Sequence, residues 1–437
     1  MLKSGGIING LKMKTFLRKV VLVLLKGMAK RRLKKFKGKI IGVTGSIGKT
    51  STKDAIYTVL NSQMKVKRNE NSMNSEFGLL LTILAIDSGY SSALKWSWLL
   101  AKAFYHSFFT DHCEVLLLEL GVDKPKDMNY LLSVVKPDIT VFTNVAPVHM
   151  AEGQFESMEA IFEEKRKLVD KMGDNSIAVL NIDDPLIARL AKERGKKNTR
   201  TYGKEKLANY HFNKISQTTE GLSYILHHGE ERYEVLSQIL GGYQAYVITP
   251  ALVCADLLGI PMESAILAAG RFTLPPGRMS IIPGINDSAI LDSSYNSSPE
   301  ALKEALKVLR EVGGEKRKVA VLGNMNELGE KCDDLHRDIG AIVPGCADLL
   351  ITVGTSASLF AEEAIKKGMD EKKVHVFKTS GDASEFFKDE VKKGDTILVK
   401  GSQNRVRLER FVKAIMANPE DAKDLLVRQE RVWEAKL

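Results

Sequence analysis

The sequence predicts an α/β protein of two folded domains. The first carries a phosphate-binding loop on a mainly parallel sheet, and the second is Rossmann-like. Three observations lead there. Apolar strand-like runs alternate with helical patterns along most of the chain, the signature of a parallel sheet covered on both faces. A short strand, a glycine-rich turn and a helix follow one another over 39–60. A second strand–helix series begins near 279, just after the break Pro275-Pro276-Gly277. A chain of 437 residues leaves room for roughly two or three domains.

The N-terminus comes first in order. Residues 1–40 carry 13 Lys/Arg and no Asp/Glu, which leaves 51 basic against 54 acidic residues in the remainder. The net charge of +10 is therefore local to a basic arm, and it does not argue for nucleic acid. The longest apolar run in that arm, Val20 to Leu25, falls well short of the roughly 18 residues of a membrane span. Helical spacing places Leu17, Val20, Val21, Leu24 and Met28 on one side, and Lys12, Lys19, Lys26 and Lys30 on the other. Such an amphipathic helix either packs its apolar stripe on the protein or lies on an anionic membrane surface.

Lys39–Val43 reads as a buried strand and Ser51–Leu60 as a helix. "EVLLLEL" (114–120), "DITVFTNV" (138–145) and "SIAVLNIDD" (176–184) read as parallel strands with helices between them. Residues of about 200–240 alternate apolar and polar, with turns at Glu220-Gly221 and His228-Gly229, and predict hairpins. Helices follow around 245–258 and 262–269. In the second series "SAILDSS", "KVAVLGNM", "DLLITVG", "KVHVFK" and "DTILVKGS" are strands, and Ser298-Pro299 opens a helix. Domains are expected at 1–37 (arm), 38–278 and 279–437. The four cysteines form no C-x-x-C pair, so neither a zinc ribbon nor a disulfide framework is expected.

The turn in "GVTGSIGKTS" has the context of a phosphate loop, between strand and helix. Backbone N–H groups from Gly45 to Thr50 are expected to wrap a polyphosphate, helped by the helix N-terminus. Lys49 would reach the terminal phosphates and Thr50 would offer its hydroxyl to Mg²⁺. One detail departs from the general rule: Val43 stands where a first glycine is usual. No N-K-x-D base reader of a GTPase is present.

This wording resembles the Mur ligase superfamily, whose loop is written T-G-[ST]-x-G-K-T. The likeness continues through "NENSMNSEFGLLLTIL", "LLLELGVDKPKDMNYL", "FTNVAPVHMAEGQFESMEAIFEEKRKLV", "PPGRM", "LDSSYNSSPEALKEAL", "VLGNMNELGE" and "VKGSQNRVRLERFV", in the family's order over about 38–415. "YNSSP" and "GNMNELGE" point to the branch that adds D-alanyl-D-alanine to UDP-MurNAc-tripeptide in peptidoglycan precursor synthesis. The resemblance implies a P-loop ATPase domain and an ATP-dependent amide ligase working through an acyl phosphate. It implies ATP contacts from Thr44, Gly45, Ser46, Ile47, Gly48, Lys49, Thr50, Ser51, Asn144, Arg278, Asp292, Tyr295 and Asn296. It further implies two magnesium ions on Thr50, Glu119 and His149. Lys165, preferred over Lys167, would be carbamylated. Lys49, Lys165, His149 and Arg278 would be catalytic, and Asn74, Glu76, Lys400 and Ser402 would meet substrate.

Without the family's wording, Glu119 reads equally as a helix cap and His149 as a loop residue. Fewer than 40 residues precede the first strand, too few for the UDP-gripping domain that the resemblance leads one to expect. The expected setting is a cytoplasmic monomer acting on small molecules, with the basic helix free to touch the inner membrane face. The alternatives are a related ligase of folylpolyglutamate or cyanophycin type, and a nucleotide-binding scaffold. Against a scaffold, Lys49, Glu119 and Lys165 are all present.

Overall fold

The computed structural model describes residues 4–69, 76–87, 93–109, 112–147, 154–326, 328–402 and 406–429, with side chains from residue 20 onward except 93–95. The expected site residues Asn74 and His149 lie outside these. Contacts divide the chain into two units. The first comprises 1–213, 225–234 and 245–269, and the second 214–224, 235–244 and 270–437. The division thus falls at 269/270 instead of 278/279. The hairpin strands are also split between the units, at 213/214, 224/225 and 234/235.

The first unit opens with helix α1 (Ser4–Lys35), strand β1 (Lys39–Thr44) and helix α2 (Lys49–Leu60). Strand β2 (Val66–Arg68) leads to α3 (Glu76–Leu84), α4 (Ala93–His106) and β3 (Val115–Glu119). Then come α5 (Asp127–Leu132), β4 (Ile139–Phe142), α6 (Met158–Asp170), β5 (Ile177–Asn181), α7 (Pro185–Arg194) and β6 (Thr199–Gly203). Strands β7 (Tyr210–Thr218), β8 (Gly221–His228) and β9 (Glu231–Ser237) are joined by two-residue turns. Helices α8 (Ala245–Leu257) and α9 (Met262–Ala269) follow. The sheet order is β2-β3-β1-β4-β5-β6-β7-β8-β9, and β2 to β7 pair in parallel. Val43 is a fully buried member of β1, paired with Glu119 and Val141, and the strand runs on to Thr44 before the loop.

The face of α1 that packs inward is rotated from the stripe that helical spacing suggested: Val21 and Met28 of that stripe pack on the core, but Val20 and Leu24 do not. Leu25, Ala29 and Arg32 are buried, whereas Val20 and Leu24 are 40% and 45% exposed. The guanidinium of Arg32 tolerates burial because it donates to the Leu84 carbonyl at 3.0 Å. Lys26, half-buried, lies 4.9 Å over the Tyr130 ring. No helix among the described residues is long and apolar enough to cross a membrane.

The second unit pairs β10 (Ser280–Pro283) antiparallel to β11 (Ala289–Ser293). Helix α10 (Pro299–Gly313) and strand β12 (Lys318–Gly323) follow, then α11 (Cys332–Gly340), β13 (Leu349–Val353), α12 (Ser358–Lys366) and β14 (Val374–Phe377). The unit ends with α13 (Ser380–Lys388), β15 (Thr396–Lys400), α14 (Leu408–Ile415) and α15 (Ala422–Leu425). The sheet order is β10-β11-β15-β12-β13-β14, parallel from β11 onward. Apolar clusters cover it, one with α10–α12 and one with α13–α14. The carboxyl ends of β11, β12 and β15 thereby lie side by side, which is where parallel α/β sheets bind ligands.

Candidate active site

In the first unit the loop after β1 is held open by its own neighbours. Gly48 takes φ 78° and Gly45 φ 148°, and a Cβ on Gly45 would lie 2.0 Å from Thr143 Oγ1. Only glycine fits that approach. Asn144 grips Ile47 twice: its Oδ1 accepts from the Ile47 N–H at 2.8 Å, and its Nδ2 donates to the Ile47 carbonyl at 2.8 Å. The Ser46 N–H donates to the Asn144 carbonyl at 2.9 Å, and Thr143 Oγ1 donates to the Ile47 carbonyl at 3.0 Å. Thr44 anchors the loop's start by donating to the Leu120 carbonyl at 2.9 Å. Ser51 lies partly exposed in the first turn of α2.

Lys49 Nζ donates to the Ser46 carbonyl at 3.0 Å and so lies across the loop. Burial lowers its pKa, while Glu119 and Asp123 raise it. Thr50 Oγ1 donates to Glu119 Oε2 at 2.9 Å, and Glu119 is buried at the end of β3. The two therefore present adjoining hard oxygen donors, the chemistry that suits magnesium. Behind them Lys53, itself buried, places Nζ 3.8 Å from Glu119 Oε2 and donates to the Asn69 carbonyl at 2.8 Å. Asn69 Oδ1 accepts from the Glu119 N–H at 3.0 Å.

Lys165 on α6 is buried, and its Nζ finds no hydrogen-bond partner. Burial, with the nearby Lys49 charge, lowers its pKa to about 7. Burial thus favours the neutral, nucleophilic form of this amine. Lys167 instead pairs with Glu164 at 2.6 Å. Glu76 opens α3 and acts electrostatically on Tyr130, whose phenol is pushed up to about 12, chiefly by burial.

The second unit gathers its own group at the carboxyl ends of β11 and β15. Asp292 is fully buried and accepts from the Ser294 N–H at 3.0 Å through Oδ1, while Oδ2 has no partner. Burial raises its pKa to about 6. Lys400, lowered to about 8 by burial, donates to Ser293 Oγ at 3.1 Å and to the Asn296 carbonyl at 3.0 Å. Ser402 Oγ accepts from the Asn326 N–H at 3.0 Å and bonds the Ser297 carbonyl at 3.2 Å. The Arg278 guanidinium sits 4.7 Å over the exposed Tyr295 ring. The Asn296 side chain is exposed. Arg428 donates to the Tyr295 carbonyl at 2.6 Å and to Glu409 at 3.1 Å.

Comparison with known proteins matches residues 43–255 to the Mur ligase middle domain and residues 277–403 to the Mur ligase glutamate ligase domain. The chain belongs to the Mur ligase family. Relatives of this Mur ligase include the UDP-N-acetylmuramoyl-tripeptide–D-alanyl-D-alanine ligase of Bacillus subtilis, 28% identical over 91% of this chain and 80% of that one. The enzyme of the same name from Synechocystis is 28% identical over 92% of this chain and 80% of that one. Among solved structures, MurF ligase of Thermotoga maritima in complex with ADP superposes with TM-score 0.71 at 26% identity, covering 92% of this chain and 84% of that one. MurF of Acinetobacter baumannii shares the fold, with TM-score 0.73 at 21% identity over 90% and 79%.

Within the Mur ligase the expected loop residues, Asn144, Thr50, Glu119 and Lys165 fall in one unit. Arg278, Asp292, Tyr295, Asn296, Lys400 and Ser402 fall in the other. Sequence reasoning missed Lys53 and Asn69, which brace Glu119. Lys53 did carry a signal: it shares the inward stripe of α2 with Ile56 and Leu60 at helical spacing.

Proposed function

We propose that this Mur ligase joins D-alanyl-D-alanine to the terminal carboxylate of a UDP-MurNAc-tripeptide-like substrate, using ATP. Support for ATP comes from the phosphate loop and from the ADP held by the T. maritima relative. Support for the substrates comes from the names of the relatives. The observation that carries the reading is Lys49, Thr50, Glu119 and Lys165 gathered around one glycine loop.

In this reading a substrate carboxylate oxygen attacks the γ-phosphorus, the bridging P–O bond breaks and ADP leaves. The incoming amine then attacks the acyl carbon, and inorganic phosphate leaves. The chain's part is alignment and charge neutralisation. The loop N–H groups cradle the phosphates, and Lys49 exchanges its bond to Ser46 for one to a phosphate oxygen. Thr50 and Glu119 would hold magnesium, which supplies charge neutralisation at the phosphates when bound. Lys53 and Asn69 keep Glu119 facing Thr50. Lys165, as the neutral amine, would add to CO₂ and release a proton, which would replace an unsatisfied buried amine with an anion that accepts hydrogen bonds. Arg278, Asp292, Tyr295 and Asn296 would contact ATP, and Lys400 and Ser402 the substrates. ATP and nucleotide-linked substrates are cytoplasmic pools, and one chain carries every group named, so a cytoplasmic monomer is the expected form.

ADP release from purified protein with ATP, Mg²⁺, UDP-MurNAc-tripeptide and D-alanyl-D-alanine tests the reading. Both acceptors are expected to be required, and Lys49→Ala is expected to lower the rate on the order of 10²–10³-fold or more. No stimulation by this pair overturns the substrate assignment. No stimulation by any amine overturns the ligase. For Lys165, ¹³C-bicarbonate is expected to give a carbamate carbonyl signal that Lys165→Ala lacks, and its absence from the unsubstituted protein removes that role.

A further inference from the structure

The outward face of α4 is apolar where a surface helix is normally polar. Trp98, Phe104, Tyr105 and Phe109 are 63%, 52%, 62% and 54% exposed, and Phe108 is 41% exposed. They recur at helical spacing, so they share one side of the helix and the turn after it. The rings pack on one another, Phe104 to Phe108 at 5.0 Å and Tyr105 to Phe109 at 4.8 Å between centroids. The inward side of α4, with Leu99 and Ala103, is already buried in the unit's core. The aromatic side is therefore surplus to folding, and contiguous exposed apolar surface of this kind marks an interaction site.

Positive charge frames the patch. The Arg31 guanidinium lies 4.8 Å over the Phe108 ring, and Lys102 Nζ lies 5.3 Å over Trp98. Lys35 Nζ donates to the Phe108 carbonyl at 3.0 Å. Helix α1 continues it, with exposed Val20, Val23 and Leu24 followed by exposed Lys30, Arg31 and Lys34. Residues 20–39 and 93–109 contain no Asp or Glu.

We propose that α4 and the C-terminal half of α1 form a docking face for an anionic phospholipid bilayer. The aromatic rings would enter the headgroup level, and the basic side chains would pair with lipid phosphates. Trp, Tyr and Phe beside Lys and Arg are the composition that the interface rewards. The exposed valines and leucine of α1 gain nothing from nucleic acid but do gain from lipid. A second copy of this chain would bring two basic stripes together, which like-charge repulsion opposes. The inference does not depend on which amine the ligase uses.

Full-length protein mixed with phosphatidylcholine:phosphatidylglycerol vesicles (3:1), and with phosphatidylcholine alone, tests it by flotation at low and high salt. Binding is expected only to the anionic vesicles and is expected to weaken with salt. Lys30→Gln with Arg31→Gln and Lys34→Gln should cost about a hundredfold in partitioning. Phe104→Ser with Tyr105→Ser and Phe109→Ser should release the protein while leaving its ADP-induced thermal stabilisation unchanged. A blue shift of tryptophan emission on vesicles, lost in Trp98→Phe, gives a readout independent of those variants. Failure to float with anionic vesicles at low salt overturns the proposal, as does unaltered binding of both triple variants. A solution dimer that the aromatic variant dissociates assigns the face to a second copy instead.

Discussion

Asp292 is a carboxylate held away from water with one oxygen unpaired, and that has a measurable cost. Its ordinary pKa is 3.8 and its folded value about 6. Between those values the folded chain holds more protons than the unfolded one, so this group's contribution to stability falls as pH rises through the window. Asp292→Asn is expected to abolish that fall and to stabilise the protein at neutral pH by about 2–3 kcal/mol. Denaturant titrations at pH 4.5 and pH 7 check it, and equal slopes in the two proteins would contradict it. If Asp292 contacts nucleotide, the same variant loses ATP affinity while gaining stability. Single residues differ in how openly the sequence declares them. Gly45, Lys49 and Thr50 are legible because a phosphate loop needs those types at that spacing. Lys53 is not, because a lysine on a helix is usually solvated, and only the fold puts Asn69 and Glu119 around it.

At the scale of elements, the loop between β1 and α2 depends on close packing against the residues after β4. Gly45→Ala would place a Cβ on Thr143 Oγ1, so ADP-induced thermal stabilisation is expected to be lost even if the fold survives. Unchanged stabilisation by ADP would show that the loop can shift to make room. The stretch after α15 clamps the turn after β11, because Arg428 ties the Ser294 and Tyr295 carbonyls to Glu409, which also binds Arg407. Arg428→Ala is expected to raise KM for ATP several-fold, with a smaller change in kcat, and steady-state kinetics check the split. The parallel strands were legible as continuous apolar runs, since both faces are buried. Strands β2 and β10 were not. Each is only three or four residues long and lies at a sheet edge, where one-sided pairing leaves little pattern. The inward face of α1 was only partly legible: Val21 and Met28 pack as their spacing suggests, whereas Arg32, which periodicity counts as polar, found a carbonyl inside.

At the scale of the whole molecule, each unit owns its apolar cores, so unfolding is not expected to be a single two-state event. Calorimetry is expected to give a calorimetric enthalpy larger than the van't Hoff value, with ADP moving one part of the transition more than the other. A ratio near one with a uniform shift would show the units unfolding together. The two-domain plan was readable from the Pro-Pro-Gly break and the restart of strands. The true division was not, since nothing local in a hairpin tells which core its side chains join. The chain passes between the units at 213/214, 224/225, 234/235, 244/245 and 269/270. Leu240 shows what this means, for it is buried in the second unit's core although it precedes the bulk of that unit by thirty residues. A gene cut at codon 270 would therefore not yield an intact second half. Recombination that trades C-terminal halves between relatives would have to carry residues 214–224 and 235–244 along, so inheritable modules and folded bodies do not coincide here.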